Sequence, residues 1–425
     1  MSEIYMKTGI FPPLFEYTLE MHPEKTLQNE RQPIGLIILI FLAFIALGMP
    51  DGLLGVAWPS MRNFFGLPLD ALATLLFCST AGYLVSSFFN AQLTRWLGVG
   101  RVLIISCALT GLALAGYTIM PSWWLVSALG VLTGFGAGAI DASLNTYVAA
   151  HYGSRLMQWL HASYGVGITT GPFIMTTAII TLGSWRTGYQ FVAIFQAVMA
   201  FAFILTYSAW KNGPTKASEV KADITAYKTP IGKSLKNPAV IGSMILFLLY
   251  TGTEVTTGTW AYGILTTRGV VEKTAGFVVG SYWAMFTIGR ILAGFLARKI
   301  KSELMVAASL ITAITGAGVF VANINNTWNV IGVALIGMAI APIFPALVTG
   351  TARRVGEEHA ANTIGMQMAS AGVGAVLLPG FAGFIAQKIT LDAIPPLIAF
   401  AFFIQLLIVL RFNRTGKEKE ARIDD

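Results

Sequence analysis

The chain has 425 residues and a net charge of +8, is 55% hydrophobic, and carries only 11% charged residues. A soluble globular protein carries roughly 25%, so this chain lacks the polar groups to solvate an ordinary surface, and much of that surface is expected to face lipid. The Lys and Arg lie in loops between apolar runs, not along one basic face, which argues for membrane loops and against a nucleic-acid partner.

Residues 1–33 are polar, acidic and interrupted by Pro12, Pro13 and Pro23. No signal peptide is visible there. The segment reads as a cytoplasmic tail with a short amphipathic piece around Ile10–Leu19. Apolar runs long enough to cross a ~30 Å hydrocarbon core follow. They predict twelve helices at about 34–58, 69–93, 102–120, 123–150, 158–182, 186–210, 238–267, 274–297, 303–322, 327–352, 361–386 and 393–412. Residues 211–237 form a linker holding six lysines, and 413–425 a second cytoplasmic tail. The predicted fold class is an all-α membrane protein with two pseudo-symmetric six-helix bundles, 34–210 and 238–412. Cys78 and Cys107 both fall in apolar runs and read as small packing residues.

Counting Lys and Arg in the short loops sets the orientation. One side holds fourteen: Arg95, Arg101, Arg155, the six linker lysines, Arg298, Lys299, Lys301, Arg353 and Arg354. The other holds five: Arg62, Arg186, Arg268, Lys273 and Lys388. The richer side should be cytoplasmic, with both termini inside. A multi-pass protein of the cell inner membrane, acting as a monomer in the lipid bilayer, is expected.

The two halves echo each other. Residues 162–172 read ASYGVGITTGP and 369–379 read ASAGVGAVLLP, an offset of 207. Near offset 203, Leu93 matches Leu296, Arg95 matches Arg298, Gly134 matches Gly337, and Asp51 matches Glu254. A duplicated apolar half carrying an acid at the same place suggests a two-half transporter.

Three acids fall deep inside the predicted spans: Asp51, Asp141 and Glu254. An ionisable group at the bilayer centre costs at least ~2.5–3.5 kcal/mol, so each is a functional candidate. A carboxyl there can load and release a proton, or ligate sodium as a hard oxygen donor, and the sequence leaves both open. Asp141 shares a helix face with Gly138 and Asn145. Gln158 and His161 lie three apart on the next helix. Tyr250, Thr251, Thr257 and Gly258 share the face of Glu254. Gly232-Lys233-Ser234 looks like the end of a phosphate-binding loop, but Tyr227 stands where that loop needs glycine. No cofactor is expected, and energy should come from a proton or sodium gradient. No nucleophile–base pair or metal-ligand cluster appears at matched spacing, so an enzyme is not expected.

These features resemble the major facilitator superfamily, which has twelve spans, a duplicated half and a basic central loop. The run from Leu93 to Arg101 resembles that superfamily's Gly-x-x-x-Asp-Arg-x-Gly-Arg loop, with Trp96 near the Asp position, and Gly289-Arg290 followed by Arg298 is its partner. The resemblance implies gating roles for Arg95, Arg101, Arg290 and Arg298. Within the superfamily, Gly48–Pro59, Asp141-Ala142-Ser143-Leu144-Asn145 and Arg155–Pro172 resemble the fucose–galactose–glucose:proton symporter branch. Asn145-Thr146 departs from its usual Asn-Pro pair. That likeness implies proton coupling and sugar contact at Asp51 and Asp141.

The function expected is ion-coupled symport, by preference proton-coupled, of a small polar solute, a monosaccharide foremost. Sugars are held by aromatic faces and by amide and carboxylate hydrogen bonds. Glu254, Asn145, Gln158, His161, Trp58, Trp260, Tyr164 and Gln367 would supply these groups. The alternative is a proton-driven exporter of amphipathic drugs or metabolites, which an aromatic, Met-rich cavity with few fixed donors would favour.

Overall fold

The computed structural model describes residues 34–152, 154–211, 229–296 and 300–424. The expected N-terminal tail, most of the lysine-rich linker and Arg298 lie outside them. The described helices of the first half are α1 (Ile34–Phe65), α2 (Leu72–Phe88), α3 (Asn90–Leu97), α4 (Val99–Tyr117), α5 (Trp123–His151), α6 (Ser154–Leu182), α7 (Trp185–Leu205) and α8 (Tyr207–Lys211). Those of the second are α9 (Ile231–Ser234), α10 (Pro238–Thr267), α11 (Glu272–Leu296), α12 (Ser302–Ala322), α13 (Asn326–Ile340), α14 (Ile343–Thr349), α15 (Thr351–Val355), α16 (Glu357–Lys388) and α17 (Ile394–Asp424). Twelve stretches among the described residues are long and apolar enough to cross a membrane.

Several of the predicted spans differ from the observed ones; the sixth, expected over 186–210, closes at Leu205 before the separate α8. The helix expected to stop at 58 runs through Pro59 to Phe65. In lipid every backbone group needs an internal partner, which favours continuing the helix over breaking it. The second span closes at Phe88, and the residues after it form the separate α3. The tenth span is broken into α13, α14 and α15, where Pro342 and Pro345 each remove an N–H donor. The guanidinium of Arg354 then reaches back to the Leu347 carbonyl and, at 3.3 Å, to the Thr351 hydroxyl. Burial pulls Arg354 down to about 10, so it stays charged at neutral pH. The last helix, expected to end at 412, continues to Asp424.

Within each bundle, small residues let helices approach closely, as lipid-embedded packing requires. A Cβ on Gly134 of α5 would overlap the Ser79 carbonyl of α2. One on Gly52 of α1 would overlap the Ile168 carbonyl of α6. The second bundle repeats this pairing, with Gly374 of α16 closed against the Leu248 carbonyl of α10.

The bundles meet along α6 and α11, along α1 and α10, and where α2 passes α16. At the end of the molecule opposite the start of α1, the backbone N–H of Leu69 donates to Gln387 Oε1 at 2.9 Å. The same end carries a matched pair of arginine staples. Arg186 Nε donates to the Thr118 carbonyl at 2.9 Å, just past α4. The Arg268 side chain is 4% exposed. Its Nε donates to Asp392 Oδ1 at 2.7 Å, and its Nη1 to the Phe320 carbonyl at 2.6 Å and Asn329 Oδ1 at 3.1 Å. It thus ties α10 to α12, α13 and the turn leading into α17. Arg268→Ala strands those acceptors and should cost about 2–4 kcal/mol. We expect a lower Tm in detergent, only partly recovered by Arg268→Lys, which cannot reproduce the planar fork. An unchanged Tm for Arg268→Ala would contradict the staple.

Candidate functional site

The first helices of the two halves touch where Gly55 of α1 meets the backbone of Gly258 and Thr259 on α10. Asp51 lies one turn before that contact and Glu254 one turn before Gly258. The repeat therefore brings its two matched acids to one cavity of about 250 Å³ between the bundles. Leu54, Tyr164, Thr259 and Trp283 help to line it. Small-molecule sites usually span ~300–1,000 Å³, so this space suits a compact ligand.

Each acid meets a tyrosine. Tyr164 on α6 donates its hydroxyl to Asp51 Oδ2 at 2.8 Å. Tyr83 on α2 donates to Asp141 Oδ2 at 2.5 Å, while Asn145 Nδ2, one turn on, donates to Asp141 Oδ1 at 2.8 Å. Hydrogen bonds to an ionised acceptor are short and roughly twice as strong as neutral ones. Glu254 has the Tyr250 phenol and the Arg290 guanidinium as electrostatic neighbours. Its backbone carbonyl accepts from Tyr282 at 2.9 Å. His161 lies in the fields of both Asp141 and Arg290, with its ring edge-on to Phe44 at 5.9 Å. Tyr164 is the hub, bonded to Asp51 and within electrostatic reach of Glu254 and Tyr83. The result is one connected set of titratable groups drawn from α1, α2, α5, α6, α10 and α11.

Of the residues proposed from sequence, the structure gathers Asp51, Asp141, Asn145, His161, Tyr164 and Glu254 in and around this set. Three others point elsewhere and are corrected. Trp58 is 2% exposed and packs against Trp123 at 5.4 Å between ring centres. Trp260 is 2% exposed and donates to the Pro379 carbonyl at 3.1 Å, locking α10 to α16. Gln367 is fully buried and accepts from the Thr351 hydroxyl at 3.1 Å. In each case packing between helices of one bundle wins over exposure to the cavity.

Arg290 is corrected as well. It is not a loop residue but sits inside α11, over the Phe286 ring at 4.2 Å and beside Glu254. Arg95 and Arg101 are exposed, on the last turn of α3 and the first turn of α4, with Arg101 over Tyr207 at 5.6 Å. Gln158 is on α6, its side chain outside the described residues, as is all of Arg298.

Sequence reasoning missed Tyr83 and Trp283, and it named Arg290 for gating and not for the neighbourhood of Glu254. Trp283 supplies the cavity's large aromatic wall, and Gly258 makes room for its indole, which a Cβ there would strike. The signal was present: Trp283, Thr287 and Arg290 stand at i, i+4 and i+7, a polar and aromatic stripe on an otherwise apolar helix. Among the described residues no group of three or more His, Cys, Asp or Glu could hold a metal ion. Tyr83→Phe deletes one hydrogen bond to Asp141, worth about 0.5–1.5 kcal/mol. We expect a transport rate up to ~10-fold lower in proteoliposomes with little change in Tm. A wild-type rate would remove Tyr83 from the site.

A family model described as Major Facilitator Superfamily matches residues 40–379. Among curated proteins, the chain is 21% identical to the glucose/mannose transporter GlcP of Bacillus subtilis, over 90% of this chain and 96% of that one. It is 21% identical to bypass of stop codon protein 6 of Saccharomyces cerevisiae, over 84% and 78%. It is 20% identical to sodium-dependent glucose transporter 1 of Homo sapiens, over 72% and 65%. Among solved structures, a point mutant of the nucleoside transporter NupG aligns with a TM-score of 0.72 at 12% identity, covering 89% of this chain and 99% of that one.

Proposed function

Because the chain belongs to the Major Facilitator Superfamily, we propose that it is a proton-coupled symporter of a monosaccharide or a closely related polyhydroxyl solute, working by alternating access. The observation that carries this reading is the pairing of Asp51 and Glu254 across one compact cavity between the bundles. The indole of Trp283 offers a flat apolar face, and the carboxylates, Thr259 and Tyr164 surround it with hydrogen-bonding groups. A pyranose has this complement of surfaces: C–H faces for the ring and hydroxyls for the acids. Relatives named as glucose or glucose/mannose transporters support the same class.

Coupling follows from where the acids sit. Asp51 is bonded to a phenol that also feels Glu254 and Tyr83. A solute hydroxyl that competes for Asp51 or Tyr164 breaks that bond and changes which form of the carboxyl is favoured. Proton binding and solute binding at neighbouring atoms are then linked, and linkage is reciprocal. Asp141, with Tyr83, Asn145 and His161, provides the next proton-holding group along the first bundle.

The count of basic residues in the loops supports a start of α1, linker and tails on the cytoplasmic side. On that reading the Leu69–Gln387 hydrogen bond joins the bundles at the outer end. Arg290 and Glu254 belong to the second bundle, where they shape the solute's half of the site.

Two substitutions separate the roles in proteoliposomes. Asp51→Asn should abolish accumulation driven by a proton gradient and leave equilibrium solute exchange within ~10-fold of wild type. Trp283→Ala should weaken solute affinity by ~10-fold or more, since a stacked aromatic contributes about 0.5–1.5 kcal/mol beyond its buried area. Full gradient-driven accumulation by Asp51→Asn would sink the coupling assignment. Stabilisation by hydrophobic cations and by no sugar would replace the sugar reading with an export function.

A further inference from the structure

A proline inside a helix leaves the carbonyl four residues earlier without its ordinary donor. In α1, Pro50 does this to Ala46, one residue before Asp51. The vacancy is filled from another helix. Gln196 on α7 is fully buried, and its Nε2 donates to the Ala46 carbonyl at 2.8 Å.

The second bundle carries a counterpart. Gln405 on α17 lies 209 residues after Gln196, close to the repeat offset. It is 1% exposed, and its Nε2 lies 3.5 Å from the Thr253 hydroxyl and 3.2 Å from the Ala401 carbonyl. Thr253 immediately precedes Glu254 and donates to the Leu249 and Tyr250 carbonyls at 2.8 and 2.9 Å. Thus the last helix of each bundle places a buried glutamine amide against the first helix, within a few residues of the cavity acid. In both glutamines the Oε1 atom has no partner. Burying an unpaired acceptor is unfavourable, so these side chains are seated for what their amide nitrogens reach.

We propose that Gln196 is a positioning residue for Asp51: its amide holds the Pro50 break in one geometry, and so fixes where the Asp51 carboxyl meets Tyr164. Without that bond the Ala46 carbonyl can recover a partner only by bending α1 at Pro50, and a small rotation there carries Asp51 away from the phenol. The groups that face Asp51 electrostatically are Tyr164 on α6, Tyr83 on α2 and Asp141 on α5. Gln405 has no such break to hold, since α10 carries no proline beside Glu254.

The transport readout rests on the symporter reading above, whereas the stability readout does not. The test is a cycle of wild type, Gln196→Met, Pro50→Ala and the double variant. Methionine keeps the volume and removes the donor. Alanine at 50 restores an N–H to the Ala46 carbonyl and makes the amide dispensable. Gln196→Met should retain solute exchange, lose at least ~10-fold in gradient-driven accumulation, and displace the pH profile of transport by more than about half a unit. In the double variant the Tm and accumulation should match Pro50→Ala alone. Should Gln196→Met fail to fold, rescue by Pro50→Ala is the expected result. Wild-type accumulation and pH profile in Gln196→Met, Tm losses that simply add, or a double variant that is not rescued would each overturn the proposal. If no solute is transported by any variant, the symporter reading fails, while the Tm cycle still decides whether Gln196 answers to Pro50.

Discussion

A carboxyl group held between membrane-spanning helices loses much of its water, so donors supplied by the chain itself decide how it is stabilised. Much of the arrangement described here answers that requirement. Tyr164 reaches Asp51 from α6, and Tyr83 and Asn145 reach Asp141 from α2 and α5, while Glu254 has Arg290 and Tyr250 as electrostatic neighbours only. For these groups to meet, helices must approach at backbone distance, which the glycines of α1, α5 and α16 permit. Each donor comes from the acid's own bundle, so relative motion of the bundles leaves these pairs intact and changes instead how Asp51 and Glu254 face each other across the cavity.

Duplication gives the site its symmetry and the helix environment breaks it. Asp51 and Glu254 occupy matched places, yet one faces a phenol and the other lies beside a guanidinium. The arginine staples at the end opposite the start of α1 differ in the same way: both close the third spanning helix of their half, but one comes from the start of α7 and the other from the end of α10. A single added cation alters which form of a nearby acid is favoured, so two matched acids in these surroundings need not share one role.

Much of this was legible in the sequence. The span at 238–267 is read to the residue, and the twelve apolar runs and the two-bundle plan follow from composition, length and the 203–207 offset. The acids were legible too, because an Asp or Glu amid twenty apolar residues stands out. What escaped was partner choice. Trp58 and Trp260 look like sugar platforms on paper, but a tryptophan's role depends on the direction of its helix face, and both turn into their own bundle. Trp283 and Arg290 carried a readable i, i+7 spacing that was outweighed by a loop-motif match at Gly289-Arg290. Gln196 could not be anticipated at all, since its meaning depends on a proline 146 positions away in another helix.

The central claim is that solute and proton move together through the Asp51–Tyr164 pair. It is tested most directly by following external pH as a sugar panel is added to unenergised, lightly buffered proteoliposomes of the wild-type protein. Inward sugar flux should draw protons with it and make the medium more alkaline, with the same initial rate in sodium-free buffer. Sugar entry with no alkalinisation, or with flux that requires sodium, would contradict the account.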